Sequence, residues 1–183
     1  MPATPARPEL GPRGQAGAAP LTIRLIMPHE VNHVLTAVAE AAGEVFTRLP
    51  WAEPPKKARR VAARLAADAH MPGFTLAAAL HGDQIHGFAY SVRCSRLALL
   101  ASHLPHGDFT LKELAVLPTA RGCGLGMRLH DAVLAAAPAT SWWLATHPRA
   151  AAALALYRHR GWRVAAIHKH RDQTRLIMLR EAD

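Results

Sequence analysis

Three glycines at every second position, set between an apolar strand pattern and a helical one, constrain this chain more than any other feature. The stretch reads Glu113-Leu-Ala-Val-Leu-Pro-Thr-Ala-Arg121-Gly-Cys-Gly-Leu-Gly126-Met. Residues 109–117 (FTLKELAVL) read as a strand that stops at Pro118. Residues 124–137 have helical spacing, with Leu125, Leu129, Ala132, Val133 and Ala136 in line, and Pro138 ends the run. Glycines at a strand-to-helix turn let the backbone approach a ligand, and the first helical N–H groups and the helix dipole favour an anion. A diphosphate suits such a turn, and Arg121 can add charge-assisted hydrogen bonds to it. The stretch is not a dinucleotide fingerprint, because Met127-Arg128-Leu129 supplies no third glycine. It is not a Walker loop either, since no Gly-Lys-Ser/Thr follows.

The rest of the chain supplies elements around this turn. Residues 21–27 read as a strand, and residues 29–46 as a helix with Val31, Val34, Leu35, Val38 and Ala42 on one stripe. Leu49-Pro50-Trp51 breaks the pattern, and Pro54-Pro55 open a second helix that ends at Met71-Pro72-Gly73. That helix begins Lys56-Lys57-Ala58-Arg59-Arg60, either a solvated basic face or a docking patch for an anion or acidic partner. Residues 74–80 and 84–92 form a hairpin about His81-Gly82-Asp83. Residues 93–108 show no element. A strand over 141–145, a helix from Pro148 to Arg160 closed by Gly161, and strands over 162–168 and 174–180 complete the order. The fold class is α/β (α+β): a mixed, largely antiparallel sheet with one parallel β-α-β-α-β passage in its second half. Residues 1–20 form a disordered Pro/Ala/Gly-rich tail, and residues 21–183 a single domain.

The 22 Lys and Arg against 13 Asp and Glu give a net charge of +9, which attracts phosphates of any kind. Nucleic acid is disfavoured as the partner, because aromatics are 5% of the chain and the basic residues are scattered. No apolar run approaches the ~20 residues that span a bilayer. Two isolated cysteines, Cys94 and Cys123, exclude a disulfide framework, and with no targeting element they point to the cytoplasm. The 12 histidines include the pairs His29/His33 and His168/His170, but no third ligand stands at a metal-binding spacing, so no metal is expected.

The glycine stretch resembles the pyrophosphate-binding motif of the GNAT N-acetyltransferases, Arg/Gln-x-x-Gly-x-Gly/Ala, with Arg121, Gly124 and Gly126 in its three named positions. Downstream, Ala153-Leu-Ala-Leu-Tyr157-Arg-His-Arg-Gly161-Trp162 resembles the family's second signature, A-x-x-x-Tyr-x-x-x-Gly-Phe/Trp. The resemblance covers residues 21–180 and is specific over 109–162. It implies helices on both faces of the sheet, acetyl-CoA as co-substrate, and direct acetyl transfer to an amine of a small molecule or protein. It also implies roles. The backbone of Leu114, Ala115 and Val116 holds the pantetheine arm, and the Val116 N–H is the oxyanion donor. Gly122, Cys123, Gly124, Leu125, Gly126 and Met127 wrap the pyrophosphate. Tyr157 is the general acid beside the thioester sulfur. Ala150 stands where many members carry an Asn, so backbone groups or Thr146 substitute for that contact or it is lost.

The base is less determined. Thr110 occupies the position where some members place a Glu. Glu113, three residues on, falls on the opposite face under ideal alternation, and a bulge near Leu114–Val116 would restore it. Glu113 is then either the base or part of a salt bridge. Glu44 is a second candidate, and water relay or an already neutral amine a third route; His86 and His106 have no motif behind them. Cys123 can be reactive at a helix N-terminus or a small filler. The apolar segments 44–51 and 93–108 suggest a small, partly apolar amine rather than a polycation. A non-catalytic acyl-CoA sensor on the same fold is the alternative, supported by Ala150 and Thr110. Oligomeric state is not legible.

Overall fold

The computed structural model describes residues 21–137, 141–170 and 173–181, so the expected tail over residues 1–20 and the stop at Pro138 lie outside the described residues. Seven strands build one sheet: β1 (Thr22–Ile26), β2 (Thr75–His81), β3 (Gln84–Arg93), β4 (Asp108–Val116), β5 (Ser141–Thr146), β6 (Arg163–His170) and β7 (Gln173–Glu181). Their order across the sheet is β1-β2-β3-β4-β5-β7-β6. Among the described strands β4 and β5 run parallel, and every other neighbouring pair is antiparallel.

Helices cover both faces. On one, α1 (Val31–Phe46) and α2 (Pro55–Asp68) bury Val38, Ala42, Val61 and Leu65 against Leu76, Phe88 and Tyr90. On the other, α4 (Leu125–Ala135) and α5 (Ala151–His159) bury Leu125, Leu129, Val133 and Leu154 against Ala77, Ala89, Phe109 and Trp142. Strands covered on both faces need no polar alternation, which is why the inner positions of β2 read Leu-Ala-Ala-Ala. Gly87 on β3 is a packing necessity: a Cβ there would stand 2.8 Å from the Ala115 carbonyl oxygen.

Two expectations are corrected. Residues 96–100 of the segment left without an element form α3 (Arg96–Leu100), whose Ala98 packs on Trp143, Ile177 and Leu179. Five residues are too few for a periodicity to show. The parallel passage also stops after β4-α4-β5. α5 leads to β6 at the sheet's edge, and β7 returns between β5 and β6, antiparallel to both. Side-chain chemistry explains the order. β7 carries the buried Ile177-Met178-Leu179 and takes the inner position, whereas β6 exposes Val164 and Ile167 beside Lys169.

The β4–β5 pair is short. Its register covers Asp108↔Ser141, Phe109↔Trp142 and Thr110↔Trp143, and then the strands part. Asp108, 2% exposed, clasps its lower end. Its carboxylate accepts from Ser141 Oγ at 2.5 Å, Trp143 Nε1 at 3.0 Å and the His106 amide at 3.1 Å. Burial pushes this carboxyl up, but hydrogen bonds from Ser141, Ser95, Trp143 and the His106 amide outweigh it and hold it below the ordinary value of 3.8. A depressed carboxyl stabilises the fold above its unfolded pKa and loses that contribution as pH falls through the folded one. Asp108→Ala is therefore expected to cost about 3 kcal/mol at pH 7 in urea unfolding. The gap to wild type should narrow as pH drops below 3.8, and a pH-independent gap would contradict the ionised clasp.

Candidate active site

Beyond the clasp, β4 and β5 diverge and leave a gap. β4 is bulged there: Tyr90 faces Glu113 while Ser91 faces Leu111, so Lys112 is the extra residue. The bulge lies just before the expected segment, and its effect is the conditional one. Glu113, opposite Tyr90, joins the face covered by α1 and α2, the face Thr110 shares opposite Val92. The Leu117 N–H donates to the His86 carbonyl at 2.9 Å. Antiparallel alternation then directs the N–H groups of Leu114 and Val116 away from β3 and into the gap. Arg121 Nε donates to the Val116 carbonyl at 3.2 Å, tying the glycine turn to the strand end.

The turn itself has the backbone its glycines permit. Gly122 and Gly124 have φ of +84° and +74°, which other residues enter at a cost. Gly124 is the N-cap of α4, and no side chain caps the helix, so the first-turn amides remain for a ligand. Gly126 matters for space instead: a Cβ there would lie 3.3 Å from Leu156 Cδ1 and 3.6 Å from Val116 Cγ2. Leu125 turns its side chain into the core, Met127 is half-buried, and the exposed Cys123 Sγ donates to the Ala120 carbonyl at 3.3 Å. Uncapped amides, left-handed glycines and a strand gap suit an extended chain ending in a pyrophosphate.

A cavity of about 330 Å³ opens beside this gap. Leu111, Leu114, Leu144 and Thr146 line it from the parted strands, and Tyr157 from α5. Tyr157 is 6% exposed, and burial together with the Glu113 charge raises its phenol above the ordinary range. Glu113 also lines the cavity, where Arg64 Nη2 donates to its Oε1 at 2.7 Å. Burial raises the Glu113 carboxyl, Arg64 opposes that rise, and Glu53 adds to it. Of the two sequence readings of Glu113, the salt bridge is the one seen here.

Glu44 does not join the site. It is exposed on the outer side of α1 and pairs with Arg48 at 3.4 Å. Thr110 donates its hydroxyl to the Cys94 carbonyl and is absent from the cavity wall. Ala150 is a buried N-cap of α5. His86 packs edge-on against His81, and the His106 amide serves Asp108. Among the described residues no group of three His, Cys, Asp or Glu is placed to hold a metal, and no helix is long and apolar enough to cross a membrane.

Glu53, Arg64, Arg175 and His147 escaped the sequence reading. They line the cavity with Lys57 of the basic run, and His147 extends a row of stacked rings begun by Phe46 and Trp51 of the 44–51 segment, at 6.1 and 6.0 Å. Lys57 and Arg64 belong to the basic helix, so part of its charge stands at the rim of the cavity, half in solvent. Glu53 had one signal, its place directly before Pro54-Pro55, two residues beyond the 44–51 segment.

A sequence model described as the acetyltransferase (GNAT) family matches residues 36–162. No curated protein sequence matches the chain at a significant level. Among solved structures, the PaiA N-acetyltransferase of Thermoplasma acidophilum, in complex with coenzyme A, is 12% identical, with TM-score 0.60 over 89% of this chain and 99% of that one. The ribosomal-protein-S18-alanine N-acetyltransferase of Escherichia coli is 20% identical, with TM-score 0.59 over 87% and 92%. A GNAT-like decarboxylase, GphF, in complex with isobutyryl-CoA, is 20% identical, with TM-score 0.62 over 87% and 98%. These likenesses establish the shared fold. The family match runs from α1 through the strand gap and the glycine turn to Trp162 behind Tyr157, and on that match the chain belongs to the GNAT acetyltransferase family.

Proposed function

We propose that this protein transfers an acetyl group from acetyl-CoA to an amine by direct attack on the thioester, and does so in the cytoplasm. The observation that carries the reading is the gap between β4 and β5, with an uncapped glycine turn at one end and a cavity holding Tyr157 and Glu113 beside it. Acetyl-CoA supplies the activated acyl group, and the chain supplies binding, orientation and proton handling.

First-turn amides over residues 122–127 hold the pyrophosphate, with Arg121 beside them. Backbone groups of Leu114 and Val116, which face the gap, hold the pantetheine arm, whereas Ala115 between them spends its backbone groups on Phe88 of β3. The Val116 N–H, directed into the gap, stabilises the negative charge that develops on the thioester oxygen. Glu113 takes the proton of the amine, directly or through a water. Tyr157 protonates the departing sulfur. Its raised pKa keeps it in the acid form at neutral pH, so no loss of activity from its ionisation is expected below pH ~10.

Calorimetry with acetyl-CoA tests the turn without knowledge of the acceptor. Wild type is expected to bind in the micromolar range and Gly124→Glu to lose that binding. Gly124→Asn, which tolerates the left-handed backbone and adds no charge, should retain it. Loss in both variants, with unchanged melting temperatures, would leave charge at the turn without a role. No binding by wild type would remove the proposed function. Tyr157→Phe is expected to lower kcat about 100-fold while acetyl-CoA affinity stays within about three-fold, as for a general acid. Glu113→Gln is expected to remove the acid limb of kcat/KM, which in wild type should lie above 4.5 because the carboxyl is raised. An acid limb that persists in Glu113→Gln would assign the base elsewhere.

A further inference from the structure

The cavity's charges are unequal. Among the described residues lining it, Lys57, Arg64, Lys112 and Arg175 face two acids, Glu53 and Glu113. Two of these cations are accounted for: Arg64 is bonded to Glu113 at 2.7 Å, and Lys112 pairs with Asp68 at 3.5 Å, behind the cavity wall. The other two converge on one oxygen. Glu53 Oε1 lies 3.0 Å from Lys57 Nζ and 3.8 Å from Arg175 Nη2. The guanidinium stands beyond hydrogen-bond distance of that carboxylate. Its own bonds, to the Thr174 carbonyl at 3.4 Å and Gln173 Oε1 at 3.2 Å, are long and neutral. Such a guanidinium offers a planar fork to a second carboxylate.

Position decides which molecule brings it. Leu176 packs into the core on the α4/α5 side, the one that contains Tyr157, so strand alternation puts Arg175 on the α1/α2 side, beside Glu53 and the Glu113 face. The pyrophosphate turn opens α4, away from this cluster. The side of the sheet bearing Arg175, Lys57 and the stacked rings is therefore the side from which an acceptor reaches the thioester.

Resting on the acetyl-transfer reading above, we propose that the acceptor is a small amino carboxylate. Its carboxylate is held by Arg175 and Lys57, its apolar or aromatic group lies along Phe46, Trp51 and His147, and its amine is presented to Glu113 at the strand gap. Glu53 holds the two cations together against their mutual repulsion.

The test uses a non-reactive probe pair on the protein saturated with CoA. 3-Phenylpropanoate is expected to bind about ten-fold or more tightly than 3-phenylpropanol, as charge-assisted hydrogen bonds to a guanidinium imply. Arg175→Gln should abolish that preference without changing CoA affinity. Equal binding of acid and alcohol, or a preference that survives Arg175→Gln, overturns the assignment. A second arm locates the anion. If succinyl-CoA binds tighter than acetyl-CoA and the difference disappears in Arg175→Gln, the carboxylate belongs to the donor and the acceptor assignment falls. Absence of CoA binding, by contrast, removes the acetyl-transfer reading itself.

Discussion

A parallel strand pair that stops pairing halfway along its length is a costly arrangement. Each backbone N–H and C=O released from the ladder needs another partner, and one buried without it costs about 1–3 kcal/mol. Here β4 and β5 keep three paired positions and then separate, with Leu114 and Val116 directing their amides into the opening. One end of the divergence is clasped across the two strands, and the far end of β4 is tied to the glycine turn. Asp108 ties Ser141 and Trp143 of β5 to β4 at the lower end, and Arg121 bonds the Val116 carbonyl where β4 runs into the glycine turn. Between them the Lys112 bulge increases the local twist of β4. A ligand with amides of its own is what such an edge can pair with, so the gap, the glycine turn and the cavity belong to one design.

The basic character of the chain is distributed accordingly. A net charge of +9 attracts phosphates of any kind and does not choose among them. The structure gathers part of that charge around the cavity: Lys57 and Arg64 from α2, Lys112 from the bulge and Arg175 from β7 all line it. Arg64 beside Glu113 has two consequences. It moderates the rise that burial imposes on the carboxyl, and it orients one oxygen, leaving the other free to face a substrate.

What was legible in the sequence was what is local. Gly122, Gly124 and Gly126 sit within one turn, and their roles follow from backbone conformation and from the space beside Leu156. The strands and longer helices follow from periods of two and 3.6 residues. The face of Glu113 was not legible, because one extra residue in β4, defined only by its pairing with β3, reverses the parity of all that follows. Arg175 was not legible either. Its arrival opposite Glu53 depends on β7 inserting between β5 and β6, a choice made by Ile177-Met178-Leu179 competing for the interior. Glu44 misled because it lies near the cavity in sequence yet on the outer turn of α1.

The aromatic that ends the second signature has a reason to be tryptophan in this chain. Tyr157 packs against Trp162 and His130, with ring centroids 5.8 and 6.4 Å away. Trp162 Nε1 donates to His130 Nε2 at 2.9 Å, so that nitrogen carries no proton, and Nδ1 donates to Asp131 at 2.8 Å. Burial lowers the imidazole's pKa against the opposing pull of Asp131, which keeps the ring in the neutral form this bonding requires. Asp131 in turn holds Arg160 at the end of α5. A phenylalanine at 162 would leave His130 Nε2 buried without a donor, at about 1–3 kcal/mol, and would loosen the wall behind Tyr157. The phenol's position is thus set by a chain of hydrogen bonds from α4 to α5, none of which touches the cavity.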